Sequence, residues 1–442
     1  MKLFQQLLVA GASLGLITPI AAQASDVVNL EEMSSYSRST KKRSSRFDSK
    51  TFINTVNEDI AGLNGRVDGL ETKQNYLEAG AFSSTTSMDG KAIFWAGGID
   101  GAAEINDGST DTEAVQSGYT FTMNLNTSFT GDDNLYVRLK GGDVGGSPDT
   151  ASVWDSKPTY HIDTKDTNDQ FKVDKIWYSF PIGEDITAFV GPRIENYYMY
   201  ITPSIYKPGA LKSMKLGGNS NFGASTDIGY GFKYENDAGF GFASNIVSKG
   251  ADGTAGHLGK LDESKWDTQV AYTTDNWHVS ATLSNQQQWN GQAYNATKLA
   301  DAISDGAGED ATGYALRAYW KPDETGTATP EISVGYDIRS ADQAVGTGLP
   351  KESDSYFVGL TWKDMFQADD RIGIAFTQPL KVTECNGTCS STEVDPLIWE
   401  AYYAFRPNDS IEVRPAIFGG RDIYEDTKDD IFGSVLTTVF KF

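Results

Sequence analysis

The residues of this sequence that could carry chemistry are few and scattered. Three histidines occur, His161, His257 and His278. Hydrolysis needs a hydroxyl nucleophile, a histidine base and a third group that orients the base. Strand spacing puts Ser280 on the same side as His278, but a neutral histidine on a strand face reads the same way and is the commoner use of the residue. No glycine-rich loop opens a helix to hold phosphate, and no His, Cys, Asp or Glu spacing fits a metal site. No catalytic residue, metal ligand or cofactor is therefore assigned. The two cysteines stand close together in Cys385-Asn-Gly-Thr-Cys389, within the loop that follows Gln378. In an oxidising compartment that spacing predicts a disulfide closing a short loop, with metal binding the weaker alternative.

A denser cluster follows Arg193 in the segment 195–224. With Arg193 itself, the candidate constriction comprises Glu195, Tyr197, Tyr198, Tyr200, Tyr206, Lys207, Lys212 and Lys215. Folded into a pore, such a loop would make a constriction able to stack on sugar rings or attract anions. Packed across an outer mouth or at a subunit contact, it would do neither. A second set falls on positions that alternate with apolar ones: Arg138, Lys140, Lys175, Arg317, Asp337, Arg339, Arg371, Glu400, Arg406, Glu412 and Arg414. Alternation assigns them to one water-filled face, where charges need not be catalytic. Their basic surplus would attract anions, whereas the net charge of −23, placed in loops, would gather cations at the mouth. The sign of selectivity stays open at this level. The same acidity argues against nucleic-acid binding through bulk charge.

The elements that must position these residues are strands. Tyr119, Phe121, Met123 and Leu125 alternate with Thr120, Thr122, Asn124 and Asn126. Tyr314, Leu316, Ala318 and Trp320 alternate with Ala315, Arg317 and Tyr319, and the pattern recurs from Lys91 to the end. A soluble sandwich would show the same period, so the connections carry the decision. Short polar turns at 130–133, 181–185, 235–237, 274–276 and 406–409 alternate with long segments at 101–117, 141–170, 195–224, 247–264, 287–310, 340–352, 379–395 and 419–429. Short turns on one side and long loops on the other predict an all-β transmembrane antiparallel barrel of about sixteen strands. No run beyond the N-terminus approaches the roughly 18–20 apolar residues of a membrane helix. Ser434, Leu436, Thr438, Phe440 and Phe442 share a face and end on an aromatic, the signal that barrel-assembly machinery reads.

Ahead of the barrel, residues 1–24 read as a cleaved signal peptide: Lys2, an apolar run from Leu7 to Ala21, then Ala22-Gln23-Ala24. Residues 25–52 form a Ser-rich arm with a basic cluster at Lys41, Lys42, Arg43 and Arg46. In the segment 53–80, Ile53, Val56, Ile60, Leu63, Val67, Leu70 and Leu77 space out the seam of a short periplasmic coiled coil. Gly62, Gly65 and Gly69 each cost such a helix about 1 kcal/mol, so association, most simply as a homotrimer, would supply the missing stability. An amphipathic helix packed on the barrel is the alternative. The barrel then occupies 81–442.

The stretch Asn57–Glu71, the following Phe82-Ser-Ser-Thr-Thr and Gly90-Lys-Ala-Ile-Phe resemble the cyanobacterial Som-type porins, relatives of the OprB carbohydrate-selective porins. The resemblance implies an outer-membrane porin in which a coiled coil leads into the first strand and small hydrophilic solutes diffuse passively. It implies lipid, lipopolysaccharide and the barrel-assembly machinery as surroundings. Members of that family usually carry an S-layer-homology domain, and residues 25–52 are too short for one, so peptidoglycan contact is not expected. A selective channel for sugars or for inorganic ions such as iron, and a structural tether between outer membrane and cell wall, are the competing readings. A barrel enzyme ranks behind them.

Overall fold

The computed structural model describes residues 85–101, 114–144, 154, 161–201, 204–218, 226–250, 257–258, 263–289, 310–341, 350–388, 395–422 and 430–442. The signal peptide, the basic arm, the coiled coil and Cys389 lie outside the described residues. Sixteen strands are present among those described: β1 Thr86–Asp100, β2 Gln116–Thr127, β3 Asn134–Asp143, β4 Lys172–Ile182, β5 Ile186–Glu195, β6 Thr226–Glu235, β7 Phe240–Ser248, β8 Ser264–Thr273, β9 Trp277–Gln287, β10 Ala311–Trp320, β11 Glu331–Ala341, β12 Pro350–Lys363, β13 Arg371–Cys385, β14 Leu397–Asn408, β15 Ile411–Arg421 and β16 Ile431–Lys441. Each pairs antiparallel with its sequence neighbours, and β16 pairs with β1 to close the barrel. An even strand number brings both ends of the barrel to the side of the short turns.

Burial separates this barrel from a soluble sandwich. Along β9, His278, Ser280, Thr282, Ser284 and Gln286 are buried, while Trp277, Val279 and Leu283 are exposed. Phe94, Trp266, Val270, Tyr314 and Leu316 are each more than half exposed. Apolar side chains outward and polar ones inward is the arrangement a bilayer rewards, since each such side chain recovers about 1.5–3 kcal/mol when lipid replaces water around it.

The seam is extended by the last residue. Gly90 N–H donates to Phe442 O at 2.8 Å and Phe442 N–H to Gly90 O at 3.1 Å. A Cβ on Gly90 would stand 2.6 Å from the Phe442 ring, so the terminal aromatic needs glycine opposite it. Phe440 packs on Phe94 with centroids 5.4 Å apart, and Phe442 on Phe121 at 5.6 Å. The turns include two beyond those read from sequence, at 321–330 and 364–370. In the β12–β13 turn Asp370 accepts the backbone N–H groups of Met365 at 2.8 Å, Phe366 at 2.9 Å and Gln367 at 3.1 Å. Asp133 does the same work between β2 and β3, accepting Thr130 N–H at 2.7 Å and Phe129 N–H at 2.9 Å. Desolvation pushes both carboxyls up, but these donors prevail and hold them below the usual carboxylate range. Cys385 ends β13 rather than lying in the loop beyond it, and it is disulfide-bonded.

Candidate functional site: a loop strapped across the lumen

The third long loop (L3, described at 196–201 and 204–218) leaves β5 and in these residues runs inside the barrel. Two short 3-10 turns, Asn196–Met199 and Lys212–Gly217, give it shape. Such a loop carries backbone groups that water can no longer reach, so the wall must satisfy them. It does so in order. Tyr200 donates to Asp267 of β8, and Ile201 N–H donates to Gln269 Oε1 at 2.8 Å. Ile205 N–H reaches Ser333 Oγ of β11 at 3.3 Å.

The strongest strap is Glu400 of β14, fully buried. Its Oε1 accepts Tyr206 O–H at 2.7 Å and Gly209 N–H at 2.8 Å, and its Oε2 accepts Ala210 N–H at 3.0 Å and Leu211 N–H at 2.8 Å. Four donors converge on one carboxylate. Next to it Tyr402 O–H donates to Lys207 O at 2.6 Å. The returning limb is held by Arg317 of β10, which donates to Leu216 O at 2.9 Å and Gly218 O at 2.8 Å while pairing with Asp337 of β11 at 2.9 Å. Here the backbones nearly touch: a Cβ on Gly335 would fall 1.7 Å from Gly217 O, so only glycine fits that wall position.

The described residues of the second long loop (L2; 144, 154 and 161–171) also enter the lumen, which strand alternation does not announce. Asp163 forms an ion pair with Arg414 of β15, and Thr120 Oγ1 donates to Asp163 O at 2.5 Å. Ile162 N–H donates to Ala210 O at 2.7 Å, joining L2 to L3. His161 is buried between Trp95 and Trp154, and burial pushes its pKa down to about 3, so its ring is neutral at physiological pH.

All eleven charged wall residues named from alternation turn inward. The expectation that they stand in water is corrected, however, for Arg317, Asp337, Arg339, Glu400, Glu412 and Arg414, which are buried. Most hold loops or each other, whereas Arg339 donates to Gln286 Oε1 of β9 at 3.3 Å. Lys175 is buried too, paired with Glu195. Arg138, Arg371 and Arg406 keep 18 %, 12 % and 29 % of their side chains accessible, and Lys140 is half-buried. Arg193 is corrected out of the constriction: it is exposed at a register irregularity of β5, opposite Ile176.

The loop residues divide as well. Tyr200 and Tyr206 are buried with their hydroxyls on carboxylates, so neither offers a ring face to a solute. Tyr197 stacks on Tyr198 at 4.7 Å and lies under Lys215 Nζ at 4.2 Å. Lys207 is exposed, and Lys212 and Lys215 are half-buried. Burial, then the charges of Arg138 and Lys91, push the Lys215 ammonium down to about 8. His278 and Ser280 do meet, at 3.1 Å, but the other ring nitrogen faces Thr273 Oγ1 at 2.7 Å where a triad would place a carboxylate. His278 is buried besides, away from any solute.

A closed antiparallel barrel, apolar outside and polar inside, with a long loop strapped across its lumen, defines a transmembrane channel of the porin class. Residues 48–418 match the family described as carbohydrate-selective porin, OprB family. The chain belongs to that family, and it is an outer-membrane channel for small solutes. An uncharacterised protein of Nostoc sp. is 25 % identical over 418 residues, covering 87 % of this chain and 70 % of the relative. An uncharacterised Synechocystis protein is 24 % identical over 396 residues, covering 81 % and 69 %. Among solved structures, Pseudomonas putida OprB shares the fold with a TM-score of 0.53 at 11 % identity, over 81 % of this chain and 94 % of that one.

Proposed function

We propose that small hydrophilic solutes diffuse through the part of the lumen that L3 and L2 leave open, and that this gap sets what passes. The observation carrying this reading is the double strap: Glu400 at one limb of L3 and the Arg317–Asp337 pair at the other. A loop fixed at both limbs by buried charge narrows the lumen permanently. Sugars and inorganic ions both fall in the solute class, and the family's description favours sugars.

The same reading includes export through a cleaved signal peptide, self-association into a trimer aided by the 53–77 coiled coil, a Cys385–Cys389 bridge, and recognition of Phe440 and Phe442 during assembly. Planar-bilayer recording of the purified protein tests it. Discrete channel steps are expected, with larger conductance when 204–218 is replaced by a short Gly-Ser linker. Steps of unchanged size would show that L3 does not set the bore. Removing 53–77 is expected to loosen the trimer in native electrophoresis while the barrel stays folded.

A further inference from the structure

The β13–β3 wall, which L3 touches at Glu400 and Tyr402, carries an excess of cations at successive levels. Near the short turns Glu412 stands among four of them, Arg371 at 3.2 Å, Arg414 at 3.4 Å, Arg406 at 3.9 Å and Lys441 at 4.0 Å, with Asp163 also on Arg414 and Asp369 also on Arg406 at 3.6 Å, so four cations share three carboxylates. Lys207 on L3 interacts with the same group, repelled by Arg371, Lys363 and Arg406 and attracted by Glu412. Farther along, Lys140 of β3 interacts with Arg138, Lys165 and Lys91, and the acid among its neighbours is Asp174. Asp174 is itself engaged by Arg138 at 2.5 Å and Lys165 at 3.6 Å. Lys91 and Lys140 have no carboxylate within 4.0 Å among the described residues. Lys215 on L3 again faces Arg138 and Lys91.

L3 thus contributes cations opposite the cations of the wall. Like charges confined around a water-filled gap repel one another unless mobile counter-ions sit between them, and a narrow low-dielectric channel focuses that field. The tyrosines that could have made a sugar platform are spent on carboxylates or lie under lysines.

We propose that the passage between L3 and the β13–β3 wall is an anion path, and that multiply charged oxyanions of the phosphate class dwell longest in it. A dianion can meet one cation from the loop and one from the wall at once; a chloride ion meets one at a time. The inference rests on the porin reading and deepens it.

Reversal potentials of the wild-type channel in a KCl gradient test it directly. Permeation of anions over cations is expected, and inorganic phosphate added to one side should block chloride current. Each of Lys91→Gln, Lys207→Gln and Lys441→Gln should lower the anion-to-cation permeability ratio about twofold at ~0.15 M salt, the effect of one charge roughly 8 Å from the path. A cation-preferring or neutral reversal potential overturns the anion path. Anion preference without phosphate block overturns the oxyanion part alone. A preparation with no channel steps would instead sink the porin reading.

Discussion

The inner surface of the barrel has two halves that treat the same kind of residue differently. On the β8–β11 side and at Glu400, charged and amide side chains are buried and paired. Arg317 and Asp337 show at most 1 % exposure, and Glu400 none. Toward the short turns on the β12–β3 side, Arg406, Lys363 and Lys441 keep 29 %, 39 % and 43 % of their side chains accessible. Alternation produced both halves. What separates buried charges from accessible ones is where L3 and L2 lie, since Arg414 of β15 is buried against Asp163 of L2. A charge beneath the loop loses its water and must find protein partners, so it becomes a structural anchor. A charge beside the gap keeps its water and is left to act on whatever diffuses past.

Breaking the anchors should cost most. Glu400→Ala strands three backbone donors and the Tyr206 hydroxyl, and removing one partner from such a buried cluster typically costs about 3–5 kcal/mol. The expected outcome is a lower melting temperature by circular dichroism together with larger single-channel conductance. Arg317→Met belongs in the same range, because it takes the Arg317 guanidinium from buried Asp337, and it should free the Leu216–Gly218 limb.

Gly335→Val acts on geometry alone. Its added atoms meet the L3 backbone at Gly217 rather than a flexible side chain, and overpacking of this kind costs about 1–3 kcal/mol. Conductance should rise while the anion preference falls, since Lys215 leaves its place. Equal conductance in wild type and variant would show that the loop position is not set at this contact.

The open half should respond in selectivity and hardly in stability. Lys207→Gln should leave stability within about 0.5 kcal/mol, as surface changes do, while shifting the reversal potential toward cations. The smallest expected effect is the pH response of Lys215. A lysine is charged below its pKa and neutral above it, so with a pKa of about 8 the anion preference should fall as pH rises from 7 to 9. In Lys215→Gln that step should vanish; a step of unchanged size would assign it to another group.

Much of this was legible beforehand. Period-two spacing turned Arg138, Lys140, Arg317, Glu400 and Arg414 to the correct face because side chains on a strand can only alternate. The third loop stood out because tyrosine and lysine are dense in it. Other features left no local trace. L2 enters the lumen through Asp163 and Arg414, 251 positions apart, and no short-range pattern announces such a pair. Arg193 looked like part of the constriction because it adjoins the loop, but the register irregularity in β5 leaves it exposed.

The sequence by itself determined the barrel, its loop asymmetry and the face each charge occupies, because those follow from backbone period and turn chemistry, which are local. Only the tertiary structure decided which of those charges hold a loop and which face the passage. That distinction depends on what covers each one, and burial is a property of the folded whole: Glu400 is an anchor because L3, nearly two hundred residues earlier in the chain, lies on it.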